Sequence, residues 1–277
     1  MKWTRLKQHE AKALGFEPKP NGKDGRLAKY RVSDEQHVWV KVNRANPTKM
    51  EVKQHVVEAN EVLENRVLVI GDLHEPFVLD GYLEFCIEQY KKYNCNRVVF
   101  IGDIIDNHYS SFHVSDPDGL GGGDELDFAI KGVKKWRKAF HVADVMVGNH
   151  DRIIMRKAFD SQIPARWIKS YNDVLGTKWN WCETIEIDGV LYEHGEGGQA
   201  LTKAKNNMMS SVCGHTHTEA YVKWLVGKNF KVFAMQVGCG VDSKSYAAAY
   251  AKNFKKQAIA CGVVIGGHTA INCMMDL

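Results

Sequence analysis

Three continuous apolar runs mark the middle of the chain: Val67-Leu68-Val69-Ile70, Val98-Val99-Phe100-Ile101 and Val145-Met146-Val147. Short unbroken apolar runs predict strands covered on both faces. Between them, Tyr82 to Tyr93 and Glu125 to Phe140 repeat apolar residues at helical spacing. The order β-α-β-α-β predicts an α/β core. Beyond Trp179 the chain is strand-rich. Thr184 to Glu193 alternates around Asp188-Gly189, which predicts a tight hairpin. Residues 221–226 and 230–237 predict a second hairpin around Gly227-Lys228-Asn229. Two glycine-rich stretches, Val237 to Asp242 and Cys261 to Gly267, match no nucleotide-binding loop and read as close-packed strand ends.

The front of the chain has a different pattern. Trp3 to Leu14 predicts a short helix stopped by Gly15. Residues 28–32 and 37–42 alternate with the period of half-buried strands, and Val56 to Leu63 predicts another short helix. Residues 1–50 are therefore expected to form a small α+β appendage, and 51–277 the main domain.

Composition narrows the class. Of 277 residues, 44% are hydrophobic and 25% charged, ordinary globular usage. Residues 1–60 hold 13 Lys and Arg against 7 Asp and Glu, a net +6, so the remainder nets −2 of the total +4. Seven cysteines without a C-x-x-C pair suggest neither a disulfide framework nor a thiolate zinc site. No apolar run reaches the ~18 residues of a membrane helix, and Met1 to Leu6 opens no apolar signal segment. A cytoplasmic protein without a membrane partner is expected.

The polar residues then add the chemistry. The first apolar run ends in Gly71-Asp72-Leu73-His74, the second in Gly102-Asp103-Ile104-Ile105-Asp106-Asn107-His108, the third in Gly148-Asn149-His150-Asp151. Glu193-His194-Gly195 and Gly214-His215-Thr216-His217 follow. Open α/β sheets build their sites at the C-terminal ends of parallel strands. Carboxylate, imidazole and amide donors without thiolate suit Mn, Fe, Zn or Ni. On an extended segment Asp72 and His74 face the same way, as do His215 and His217.

These five blocks, in this order, resemble the calcineurin-like metallophosphoesterase superfamily: D-x-H, GDxxD, GNHD, H-G and GHxH, spanning residues 66–217. The resemblance extends to phage-encoded members. It implies an α/β fold, a β-sandwich flanked by helices in four αββα layers. It also implies two divalent metal ions. Asp72, His74 and His217 would hold the first, Asn149, His194 and His215 the second, and Asp103 would bridge them. His150 would serve as proton donor or charge stabiliser, with Asp151 orienting its imidazole. A metal-bridging hydroxide would attack phosphorus. Asp106 is expected to orient ligands rather than bind metal. Serine/threonine phosphatases of the superfamily carry an arginine immediately after the second Asp of GDxxD. Here that residue is Asn107, followed by His108, the candidate substrate-gripping group. A protein phosphatase is therefore disfavoured.

The expected substrate is a phosphate ester. The basic front end and Lys131, Lys134, Lys135, Arg137 and Lys138 favour a phosphodiester of nucleic acid or nucleotide. The alternatives are a phosphomonoesterase on a nucleotide or other small phosphate, and a non-catalytic binding protein on the same scaffold. Tyr109 to Glu125 reads as a long substrate-shaping loop. The sequence leaves the oligomeric state open.

Overall fold

A computed structural model of the chain divides into two units, Met1–Leu63 and Glu64–Leu277. The described residues are Glu17–Pro18, Leu27–Arg31 and His37–Lys41 of the first, and 64–112, 116, 118–245 and 256–276 of the second. The three segments of the first unit are strands β1 (Glu17–Pro18), β2 (Leu27–Arg31) and β3 (His37–Lys41), an antiparallel sheet in that order. The two strands expected here are β2 and β3, within one residue at each end. The helices expected over residues 3–14 and 56–63 lie outside the described residues.

The second unit runs β4 (Arg66–Ile70), α1 (Tyr82–Lys92), β5 (Arg97–Phe100), a 3-10 turn (His108–Ser110), α2 (Gly122–Ala139), β6 (Asp144–Met146), α3 (Ile153–Asp160) and α4 (Tyr171–Leu175). It continues with β7 (Asn180–Cys182), β8 (Thr184–Ile187), β9 (Val190–Glu193), α5 (Ala200–Asn207), β10 (Ser210–Cys213), β11 (Tyr221–Val226), β12 (Lys231–Gln236), β13 (Ala260–Ile265) and β14 (Thr269–Met274). These strands make a six-stranded sheet, β14-β13-β4-β5-β6-β7, and a five-stranded sheet, β11-β12-β10-β9-β8. Strands β4 to β7 are parallel, as are β9, β10 and β12. Asp188 and Gly189 turn the β8–β9 hairpin with φ of 51° and 72°, the positive values a tight hairpin turn needs.

Side-chain alternation stacks the layers. Successive strand residues point to opposite faces. Leu68 and Ile70 of β4 therefore face Tyr82 and Cys86 of α1 and Ala129, Val133 and Trp136 of α2. Val67 and Val69 face the other way, into a core shared with Val190, Tyr192, Val212, Phe233 and Met235 of the second sheet. On the far side of that sheet, Ala200 and Ala204 of α5 cover Cys213 and Ala234. The result is the expected four-layer αββα sandwich.

Two features differ from expectation. Helix α2 begins at Gly122, not Glu125, so the loop after the second strand is shorter and Glu125 lies inside a helix. Its buried carboxylate accepts the backbone N–H groups of His108 (2.7 Å) and Tyr109 (3.2 Å), which fixes the 3-10 turn. Strand β13 also pairs antiparallel with β4 in the core of the first sheet. Tyr82 supports that junction. Its hydroxyl donates to the Ala260 carbonyl at 2.7 Å and accepts the Gly71 N–H at 3.2 Å.

Glu75 is buried beneath the strand ends and accepts the Trp136 indole N–H at 2.9 Å. Burial pushes its carboxyl from 4.5 up to about 7. Below pH 4.5 the folded and unfolded chains both carry the proton. Between 4.5 and 7 the unfolded chain ionises first, so stability falls as pH rises through this window. The accumulated loss is expected to be about 3 kcal/mol at pH 8. Glu75→Gln keeps the acceptor and removes the ionisation. Urea unfolding from pH 4.5 to 8 is expected to show this loss in the parent chain and not in the variant.

Candidate metal centre

Both sheets deliver their parallel strand ends to one place. From the first sheet come Asp72 and His74 after β4, Asp103 and Asp106 after β5, and Asn149 and His150 after β6. From the second come His194 after β9 and His215 and His217 after β10. The backbone is contorted here. His74, Asp103 and His215 have φ of 50°, 48° and 67°. Left-handed conformations cost roughly 1–3 kcal/mol each for non-glycine residues and gather at functional sites. Two glycines give the carboxylates room. A Cβ on Gly148 would collide with the Asp103 carboxylate, and one on Gly214 with that of Asp72.

The donors fall into three groups whose ligand atoms lie within 4.8 Å of one another: Asp72, His74 and His217; Asp103, His194 and His215; and His74, Asp106 and His150. Asn149 joins the second group, its Oδ1 lying 2.9 Å from His194 Nε2. Asp103 stands between the first two. Its Oδ2 is 3.4 Å from His74 Nε2 and 3.2 Å from His194 Nε2. Its Oδ1 accepts the His150 backbone N–H at 2.8 Å. Asp72 Oδ2 accepts the His215 N–H at 2.8 Å and lies 3.0 Å from His217 Nε2. Asp72, His74, Asp103 and His194 are buried, whereas Asn149, His150 and His217 are half-buried and His215 is exposed. The centre therefore has a dry floor and an open rim.

The outer nitrogens of three imidazoles are tied down. His194 Nδ1 lies 3.0 Å from the Ile101 carbonyl, and His150 Nδ1 lies 2.6 Å from the Asp106 carbonyl. A carbonyl only accepts, so Nδ1 carries the proton in both rings and Nε2 is left for other work. His74 Nδ1 is 2.5 Å from Asp106 Oδ1, which likewise leaves Nε2 inward. Burial opposes charge on His194, but Asp103 overcomes it and raises the imidazole to about 10. Burial likewise opposes charge on His74, and Asp103 and Asp106 raise it well above the usual histidine range. Burial opposes ionisation of Asp103, which His194 and His74 nevertheless hold well below the usual carboxylate range. The cradle is thus strongly disposed to positive charge.

The donor set fits divalent cations. It offers carboxylate, amide and imidazole atoms and no thiolate, which suits borderline ions. Asp72 Oδ1 and His74 Nε2 are buried without a hydrogen-bond partner, a costly state that coordination would relieve.

The structure corrects one expected contact. Asp151 does not reach the His150 imidazole. Its Oδ1 accepts the Ile104 N–H at 3.0 Å and its Oδ2 the Gly148 N–H at 2.9 Å, so it ties the second and third strand ends together. Burial and the Asp103 charge raise its carboxyl to about 6. The carboxylate beside His150 is Asp106, whose Oδ1 lies 3.3 Å from His150 Nδ1. Asp106 thus serves His74 and His150 together. His108 is buried, and its Nε2 accepts the Asp116 N–H at 3.3 Å. Glu125, which holds this turn from α2, left no motif to find in the sequence.

No family profile matches the chain, and no curated protein matches it in sequence. Among solved structures, it is similar to an archaeal phosphodiesterase, with 15% identity, 76% of this chain and 99% of that one covered, and a TM-score of 0.39. It is also similar to Vacuolar Protein Sorting 29 from Cryptosporidium parvum (13% identity, 76% and 97% covered, TM-score 0.39). The nuclease MPE of Pseudomonas putida is another (12% identity, 93% and 100% covered, TM-score 0.33). Among the described residues, no helix is long and apolar enough to cross a membrane.

Proposed function

We propose that the chain is a dinuclear metal-dependent phosphoesterase of the calcineurin-like type, acting on a phosphodiester of nucleic acid or nucleotide. In this reading Asp72, His74 and His217 hold one cation, Asn149, His194 and His215 hold the other, and Asp103 serves both. The observation that carries the reading is the position of one Asp103 oxygen between His74 Nε2 and His194 Nε2, at 3.4 and 3.2 Å. A buried carboxylate set between two imidazoles from separate sheets is hard to explain as packing alone. The two cations, when bound, supply charge for the phosphate oxygens and a lowered pKa for the attacking water.

The chain's own groups do the rest. Asp106 fixes His74 and His150 through their Nδ1 atoms. His150 has only Nε2 left to give a proton to the leaving oxygen. Burial and the His74 charge pull its pKa down, but Asp106 and Asp103 outweigh them, and the net shift is upward. That keeps a proton available near neutral pH. Asp151 holds the Gly148 and Ile104 turns in register so that Asp103 and Asn149 converge.

The test is hydrolysis of a bis-aryl phosphate against an aryl monophosphate, with Mn²⁺ and then with chelator. Chelator-sensitive cleavage with higher kcat/KM on the diester is expected. A preference for the monoester would move the substrate to the monoester class. No chelator-sensitive cleavage of either would contradict the proposal.

A further inference from the structure

Two walls beside the centre grow directly out of its motifs. One is the segment Tyr109 to Phe112, which follows His108. Asn107 Nδ2 ties its base to the His150 carbonyl at 2.9 Å. The other is α3, whose start is set by the Ile153 N–H donating to the His150 carbonyl at 3.2 Å. These walls meet through side chains. The Arg156 guanidinium lies over the Phe112 ring at 4.6 Å, and the Lys157 ammonium lies 5.4 Å from the same ring. Arg156 is the fourth residue of α3, about 5 Å of axial rise from the helix start.

The apolar members are unusually exposed. Tyr109 is 59%, Phe112 53% and Phe159 81% accessible. Phe159 stands three residues beyond Arg156, on the same face of the helix. Among the described residues, neither Arg156 nor Lys157 forms an ion pair with a carboxylate, whereas Arg152 is held by Glu183 and Glu196.

We propose that Tyr109, Phe112, Arg156, Lys157 and Phe159 form a stacking shelf for single-stranded nucleic acid, feeding its backbone toward the metal centre. The inference rests on the phosphodiesterase reading and extends it to a substrate class. An aromatic ring beneath a guanidinium holds that plane flat, so a base can stack on it while the charge meets the adjacent phosphate. Exposed rings interleaved with unpaired cations are the combination that single-strand binders use. Base–aromatic stacking contributes about 1–3 kcal/mol per base, independent of sequence.

The test is fluorescence anisotropy with a labelled single-stranded DNA of about 12 nucleotides, within the known range of single-strand site sizes. Its linkages are phosphorothioate, and salt is varied from about 50 to 200 mM. The full chain is expected to bind it, and an abasic oligonucleotide of equal length is expected to bind at least about tenfold more weakly. The double variant Phe112→Ala, Arg156→Ala is expected to lose at least about tenfold in affinity, and its log–log salt slope to fall by about 0.7. Arg156→Lys alone keeps the charge, so its salt slope is expected to stay while affinity falls. Thermal melting checks that each variant folds. Equal affinity for the abasic strand, no change in the double variant, or preference for phosphatidylserine vesicles would overturn the shelf. Cleavage of the bis-aryl phosphate by the parent chain reports separately on the phosphodiesterase reading. Predicted binding without that cleavage would leave the shelf standing and remove the catalytic reading, and the reverse would remove the shelf alone.

Discussion

Asp103→Asn is expected to lower kcat/KM on a bis-aryl phosphate in saturating Mn²⁺ by about a thousandfold or more. That is about 4 kcal/mol of transition-state stabilisation. Asp103 is the residue through which the two donor sets meet, with Oδ2 beside His74 and His194 and Oδ1 on the His150 N–H. Asparagine keeps the size and loses the negative charge that would balance the two proposed cations. It also places an amide between two imidazoles. Calorimetric Mn²⁺ titration is expected to show weakened binding at both sites together, because in the proposed centre one residue would serve both. A variant that loses one site and keeps the other would show that Asp103 belongs to a single ion. Near-parental activity would remove it from the centre altogether.

The second large effect separates two neighbouring acids. Asp106→Asn is expected to reduce kcat by about 10–100-fold, the usual scale for a group that orients metal ligands. It is also expected to move the pH profile. Asp106 raises the His150 pKa, so removing its charge lowers it. In the proposed mechanism His150 would act as an acid in its protonated form, so the fall in rate with rising pH is expected to move to lower pH. Asp151→Asn is expected to behave differently. Its carboxylate bonds only backbone N–H groups among its resolved partners, from Ile104, Ile105 and Gly148. Loss of one acceptor there is expected to cost about 1–3 kcal/mol in stability, read by urea unfolding. The basic limb of the pH profile is expected to stay in place. A shifted limb in Asp151→Asn with an unshifted one in Asp106→Asn would reverse the two roles.

That pair also shows where the sequence could be read and where it could not. The strand ends were legible because a buried strand needs apolar residues on both faces, so the first polar residues after each run mark its exit. Asp72, His74, Asp103 and Asn149 could be named that way, His194, His215 and His217 were added by the order of the blocks in the resemblance, and the structure brings all seven together. Adjacency misled the assignment of Asp151. It follows His150 directly, but consecutive residues in a tight turn point different ways, and its carboxylate turned back to the backbone. The carboxylate that reaches His150 belongs to Asp106, far earlier in the chain. Glu125 was hidden for a related reason. Its function is to satisfy two N–H groups in a distant turn, and no local spacing records that. The pairing of β13 against β4 was equally invisible, because hydrophobic period fixes which face is buried but not which strand lies alongside. The hairpin at Asp188-Gly189 was legible because its geometry is wholly local.

The most direct measurement is anomalous diffraction from a crystal of this chain soaked in Mn²⁺. Two manganese peaks are predicted, one on each side of the Asp103 carboxylate. Asp72, His74 and His217 are expected on one, and Asn149, His194 and His215 on the other. A single peak, or two peaks of which neither touches Asp103, would contradict the account.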